Sequence, residues 1–410
     1  MRKLITFILI IVLSVGGYAS PKKSFEIKRG VNLSHWLSQR GENTPSIQDG
    51  MSATDFSRIA RAGFDHVRLP IDEEVLWQEN GQKNKEAFSY LHKGIEWALK
   101  NDLRVIVDLH IVRSHYFNAG NEGKKNSLWE KPEAQTHFLA LWQDLVQELK
   151  GYSTSDVAYE IMNEPTAPNH EDWNKLVEKA YQIIRKVEKE RVIVIGSNMW
   201  QGVDTFQYLK VPQGDEFILL SCHFYEPFLL SHYQAGWTEF GKYQGNVHYP
   251  GYLVSKDEFD SLSADDKKLV ARWRTTPWNR ETLSAFLSKA KRVADEKGLN
   301  LYCGEFGIYE KAPIESALKW YADVISVFDS LNIAWAKWDY KGGFGIYTSQ
   351  NQQKKDLLKV LMSGSGKKVV VGETPVYLDT RKPLELRVKD ALNRMTVEEK
   401  TRLSYADGRF

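Results

Sequence analysis

Two glutamates stand where a strand-like stretch meets a breaker. Val157-Ala158-Tyr159-Glu160-Ile161-Met162 runs into Asn163-Glu164-Pro165, and Leu301-Tyr302-Cys303-Gly304 runs into Glu305-Phe306-Gly307. β-Branched and aromatic residues favour a pleated strand, and Pro165, lacking a backbone N–H, ends the pairing. A carboxylate at the end of an apolar strand is costly to bury unless it is paired or used. Two such carboxylates from distant strands are what hydrolysis of a glycosidic bond needs. One protonates the leaving oxygen while the other attacks the anomeric carbon or activates water. A separation of about 5 Å gives retention of configuration, and roughly 6.5–9.5 Å gives inversion. The acid must hold its proton while its partner stays ionised, so their surroundings must differ.

Other apolar stretches also end in residues that could serve such a pair: Arg68, His110, His223, Tyr225 and Trp338. Arg68 offers positive charge to a carboxylate, or equally an ion pair inside the fold, and the sequence leaves both open. Tyr225, two residues after His223, shares its face and could donate to the nucleophile. His110 and His223 suit hydrogen bonds to substrate hydroxyls, or to the carboxylates themselves. Trp338 could floor a sugar or belong to the core. Asn163 and Glu164 are neighbours, so both reach one site only if the strand breaks or bulges there. His110, His115 and His223 lack any close spacing, so no metal site is expected.

These residues must be positioned by something regular. Strand patterns near 30–33, 65–70, 104–110, 157–164, 191–197, 217–225, 301–307 and 333–338 alternate with amphipathic helical patterns. The helices fall near 53–62, 87–100, 134–149, 171–189, 280–297, 314–331 and 353–362, with only a short connection between the fifth and sixth strands. This is the α/β pattern of a (β/α)8 TIM barrel, whose strand ends converge on one face. An open doubly wound sheet is disfavoured because no glycine-rich dinucleotide loop follows the first strand. A long aromatic-rich insertion, about 227–278, follows strand six. It carries Trp237, Trp273, Trp278, Tyr233, Tyr243, Tyr249 and Tyr252, and could wall off one end of a groove or supply extra subsites.

The chain has 410 residues, 42% of them hydrophobic, enough for one large barrel or two ordinary domains. With 55 Lys+Arg against 53 Asp+Glu and no basic stripe, nothing suggests a nucleic-acid partner. Met1-Arg2-Lys3, an apolar run from Leu4 to Val15 and the small residues before Ser20 read as a signal peptide, residues 1–19. The run is too short to span a bilayer and no cysteine lies near the cleavage point. The expectation is therefore a secreted or periplasmic protein with no membrane anchor once mature. Cys222 and Cys303 are the two cysteines. Strict alternation puts Cys303 on the face of Glu305 and Cys222 opposite His223, which predicts two free, buried thiols rather than a disulfide.

In their order along the chain, these stretches resemble glycoside hydrolase family 5, the cellulase family of retaining (β/α)8 enzymes. The likeness rests on Arg29-Gly30-Val31-Asn32-Leu33, Val67-Arg68-Leu69-Pro70, Asp108-Leu109-His110, Asn163-Glu164-Pro165, His223-Phe224-Tyr225, Gly304-Glu305-Phe306-Gly307 and Trp335-Ala336-Lys337-Trp338. It implies Glu164 as acid/base and Glu305 as nucleophile, with Asn163 on the sugar 2-hydroxyl. Arg68 and Tyr225 would steady Glu305, His110 and His223 would line the cleavage subsite, and Trp338 would lie beneath its sugar. Leu109-His110-Ile111-Val112 departs from the family by lacking a second histidine. No metal or organic cofactor is implied. The substrate class is a β-linked polysaccharide or oligosaccharide, and we expect an endo-β-1,4-glucanase. Mannan, xyloglucan, mixed-linkage or exo-acting activity remain alternatives, as does a silent carbohydrate-binding barrel.

The barrel is expected over 24–362, followed by a flexible linker, 363–374, opened by Ser363-Gly364-Ser365-Gly366. Residues 375–410 resemble the start of a family 3 β-glucosidase, through Arg394-Met395-Thr396-Val397-Glu398-Glu399-Lys400, where Thr396 and Glu399 form a capping pattern. The expectation is fusion to a β-glucosidase-like domain.

Overall fold

The structure is a computed structural model that describes residues 24–42, 44–117, 126–348, 352–372, 377, 382–395 and 400. The proposed signal peptide and the capping pair Thr396 and Glu399 lie outside the described residues.

Among the described residues ten strands are formed: β1 (Phe25–Ile27), β2 (Arg29–Asn32), β3 (His66–Asp72), β4 (Arg104–Ile111), β5 (Val157–Glu160), β6 (Ile193–Gly196), β7 (Ile218–Phe224), β8 (Asn300–Phe306), β9 (Ala334–Lys337) and β10 (Val369–Val371). Strands β2 to β9 close into a parallel barrel, with β9 returning to β2 at Arg29 opposite Trp335. Helices over 53–61, 85–99, 132–149, 170–187, 280–296, 314–331 and 355–361 connect them, as the periodicity predicts. The helix Pro132–Leu149 shows why. Phe138, Leu141, Trp142, Leu145, Val146 and Leu149 recur at helical spacing and are all buried. Each such side chain contributes about 1.5–3 kcal/mol on burial.

Buried tryptophans of these outer helices also fix the strand ends. Trp142 donates to the Ile161 carbonyl at 3.0 Å, Trp173 to Gly196 at 2.9 Å and Trp320 to Glu226 at 2.9 Å. The indole thus buries its area against the barrel and satisfies a carbonyl where the strand stops.

Residues 363–372 differ from the linker expected over 363–374. Val369–Val371 form β10, which pairs antiparallel with β1, Phe25 opposite Val371 and Ile27 opposite Val369. Phe25, Ile27, Val369 and Val371 are buried in one cluster with barrel-interior Ile106, Ala158, Val194, Leu219, Tyr302 and Ala336. The preceding glycines are held as well: Ser365 N–H donates to Asp329 at 2.6 Å, and Arg29 to the Gly364 carbonyl at 3.3 Å. A short β-branched run with a matching edge strand wins over the flexibility that Gly and Ser suggest.

The insertion is mostly core. Tyr243, Tyr249, Trp273 and Trp278 are buried, whereas Trp237 is 46% exposed and Tyr252 53%. Trp237 stands edge-on to Tyr309, with centroids 4.9 Å apart. No helix among the described residues is long and apolar enough to cross a membrane.

Candidate active site

Strand β5 stops at Glu160, earlier than the reading that carried it to Glu164. Ile161 and Met162 remain buried, and the Ile161 N–H donates to Val194 O at 3.2 Å. Glu164 then adopts φ +43°, a left-handed conformation unfavourable for a residue with a Cβ. This reversal lets both Asn163 and Glu164 face the barrel mouth. Two contacts hold the backbone: Glu164 N–H donates to Gln201 Oε1 at 3.3 Å, and His115 Nε2 lies 3.3 Å from the Glu164 carbonyl.

Glu305 reaches the same place by another device. On β7 and β8, Cys222 faces Cys303 and His223 faces Glu305, so Gly304 is an extra residue. The bulge breaks alternation and turns Glu305 inward. A Cβ on Gly304 would lie 2.8 Å from Ser221 Oγ, which explains the glycine. The bulge also corrects the parity argument for the cysteines: Cys222 and Cys303 are register partners that face the same way. Both are nevertheless free and buried.

Arg68 lies at the centre, fully buried. Its guanidinium contacts Glu160 at 2.6 Å, Glu305 at 2.7 Å and Asp108 at 3.0 Å. It also donates to Asn32 Oδ1 at 3.0 Å and Asn163 Oδ1 at 2.8 Å. The two roles left open for Arg68 are therefore one: the interior ion pair is also the contact to Glu305. Tyr225 OH donates to Glu305 Oε2 at 2.9 Å. His223 Nδ1 lies 2.8 Å from Glu164 Oε1 and 3.6 Å from Glu305 Oε2. His110 Nδ1 contacts Asp108 at 2.7 Å, and its ring stacks on Trp338 at 5.6 Å with planes 4° apart. All eight expected residues thus share one mouth. Among the described residues, Asn163 Nδ2, His110 Nε2 and His223 Nε2 are buried atoms without a hydrogen-bond partner.

Burial, then the charge of Glu305, hold Glu164 well above the ordinary carboxyl range. Burial lifts Glu305 too, but Arg68 and the Tyr225 hydroxyl oppose it, so Glu305 is the first of the pair to ionise. Burial pushes Asp108 up to about 7 against the pull of Arg68. Burial likewise brings His110 down to about 3 and His223 well below the usual imidazole value, so both rings are neutral.

Glu164, His223 and Glu305 offer ligand atoms all within 4.8 Å of one another. Their hydrogen bonds to each other, to Tyr225 and to Arg68 already engage these atoms, and the guanidinium beside Glu305 disfavours a cation. His110 and His115 are not members of this group.

Sequence reasoning missed Glu160 and Asp108, the buried acids that hold Arg68, and Asn32 and Gln201; His115, weighed only as a metal ligand, instead lies against the Glu164 carbonyl. Glu160 was visible as an acid inside Val157-Ala158-Tyr159-Glu160. Gln201 carries no such signal, because a loop conformation places it. Trp200, 51% exposed, also stands at this mouth, its Nε1 donating to the Phe117 carbonyl at 2.9 Å.

The sequence profile described as Cellulase (glycosyl hydrolase family 5) matches residues 28–343. Endoglucanase C of Acetivibrio thermocellus is 31% identical over 342 residues, covering 82% of this chain and 97% of that protein. Thermotoga maritima Cel5A, solved with cellobiose, superposes with a TM-score of 0.65 at 28% identity, covering 82% of this chain and 97% of that one. The same enzyme has been solved with mannotriose. A 38-residue stretch, 9% of this chain and 5% of the relative, is 76% identical to β-glucosidase BoGH3A of Bacteroides ovatus.

Proposed function

Because the chain belongs to glycoside hydrolase family 5, we propose that it is a secreted or periplasmic, retaining endo-β-1,4-glucanase. The observation that carries the mechanism is the proximity of Glu164 and Glu305, whose nearest carboxyl oxygens lie within 4.8 Å. That suits double displacement at about 5 Å, not the roughly 6.5–9.5 Å that leaves room for a water between the groups.

Glu305, ionised beside Arg68 and Tyr225, attacks the anomeric carbon as Glu164 gives its proton to the leaving oxygen. The bond to the aglycone breaks and a glycosyl ester on Glu305 forms. Glu164, now a carboxylate, takes a proton from water, which attacks the same carbon and releases Glu305. Asn163 supports the sugar 2-hydroxyl, His110 and His223 line the subsite, and Trp338 lies under the ring. The reaction needs no metal, so full activity in EDTA is expected, and loss of activity there would overturn this part.

β-1,4-Glucan is favoured because one relative is named an endoglucanase and a similar solved structure is a hyperthermophilic endo-β-1,4-glucanase in complex with substrate. β-Mannan is the second reading, favoured by the mannotriose complex of the Thermotoga maritima enzyme. Product analysis on carboxymethyl-cellulose, mixed-linkage glucan, xyloglucan and glucomannan, with Glu164→Ala and Glu305→Ala as controls, separates them. Internal cleavage of β-glucan, absent in both variants, is expected; activity on mannan alone would overturn the substrate.

Two further parts of the proposal concern the ends. Export predicts a mature N-terminus at Ser20, readable by N-terminal sequencing. The stretch matching β-glucosidase BoGH3A supports a fused domain that would take the oligosaccharides onward to glucose, and sequencing the gene past codon 410 tests it.

A further inference from the structure

Met199, Trp200 and Gln201 are consecutive residues with φ +57°, +58° and +54°. Residues with a Cβ visit this region singly and at a cost, so three in a row require support from their surroundings. The turn is pinned to the segment after Glu164. Trp200 N–H donates to Pro165 O at 3.2 Å, and the Asn198 side chain brackets Ala167, accepting from its N–H at 2.8 Å and donating to its carbonyl at 2.9 Å.

The inward product of this turn is Gln201, fully buried. Its Oε1 accepts from Glu164 N–H at 3.3 Å and its Nε2 donates to Glu160 Oε1 at 3.1 Å. Gly196 makes room for it, since a Cβ there would lie 2.1 Å from Gln201 Nε2. Two strained backbones, that of Gln201 and that of Glu164, are thus joined by one amide. Through Glu160 and Arg68 the same amide is linked to Glu305.

We propose that Gln201 is a positioning residue for Glu164, holding its backbone in the left-handed conformation that aims the carboxyl at the leaving oxygen. Without the amide, Glu164 N–H loses its acceptor and the residue relaxes toward right-handed φ, swinging the acid off the cleavage point. Glu305 keeps Arg68 and Tyr225 and is not displaced.

The test is leaving-group dependence of kcat/KM with aryl β-cellobiosides. Protonation matters for a phenyl leaving group and little for 2,4-dinitrophenyl, whereas attack by Glu305 is common to both. Gln201→Met is expected to lose about 10- to 100-fold on the phenyl substrate and under about three-fold on the dinitrophenyl one. Gln201→Ser, which leaves space for water, gives the same reading should the Met variant fail to fold. Met199→Gly relaxes the turn without touching the amide and should keep the wild-type ratio. Equal losses on both substrates, no loss, or the same selective loss in Met199→Gly would overturn the proposal.

The inference rests on Glu164 being the acid/base, and Glu164→Ala run alongside separates the two. If Glu164→Ala shows no leaving-group selectivity, that assignment falls and the role of Gln201 falls with it. If Glu164→Ala is selective and the Gln201 variants are not, only the role of Gln201 falls.

Discussion

Buried Asp108, Glu160 and Glu305 and partly buried Glu164 crowd one guanidinium, so the four carboxyls cannot all be ionised. The arrangement resolves this by distance from Arg68: Glu305 touches the cation, while Glu164 touches neutral His223. Activity should therefore fall in acid as Glu305 takes a proton and fall in alkali as Glu164 loses one, a bell readable in kcat/KM. The same shift has a stability sign. Glu164 titrates above its ordinary 4.5, so the folded protein keeps a proton the unfolded chain has released. Its contribution is full below the unfolded value and is lost as pH rises through the folded one. Glu164→Gln should abolish polymer cleavage yet exceed wild-type stability at pH 8, with no advantage at pH 4. Urea unfolding at the two pH values checks it; a variant less stable at pH 8 would contradict it.

All the site residues but Arg68, which sits within β3, were legible because they close a strand or stand just beyond it, and strand ends in a barrel share a face. What was hidden are departures from regular elements. Alternation places Cys303 and Glu305 on one side, and the Gly304 bulge puts them on opposite sides. Glu164 φ and the left-handed turn at Met199–Gln201 are settled by tertiary contacts, not by local preference. Gly304→Ala should therefore do more than fill space. The new methyl presses on Ser221 and His223, shifts Glu305, and should cost about 1–3 kcal/mol with loss of most activity. A variant that melts and turns over like wild type would refute the bulge argument. At the outer layer, Trp142→Phe keeps the apolar ring but orphans the Ile161 carbonyl. About 1–3 kcal/mol should be lost, seen as a lower Tm.

At the scale of the whole molecule, the chain closes its barrel and then returns to its own beginning, where β10 caps the N-terminal mouth beside β1. This was illegible because three-residue strands give no periodic signal, and Gly-Ser composition argued for a linker. Truncation after Gly372 should leave Tm unchanged, whereas truncation after Met362 should lower it by exposing Phe25 and Ile27. Equal Tm in both would mean the cap contributes nothing. The barrel holds Glu164 and Glu305 at the opposite mouth. The most direct measurement is proton NMR of the first products released from cellohexaose. Internal cleavage is expected, with the β-anomer appearing first at the new reducing ends and converting later to the equilibrium mixture. An α-anomer appearing first would contradict it.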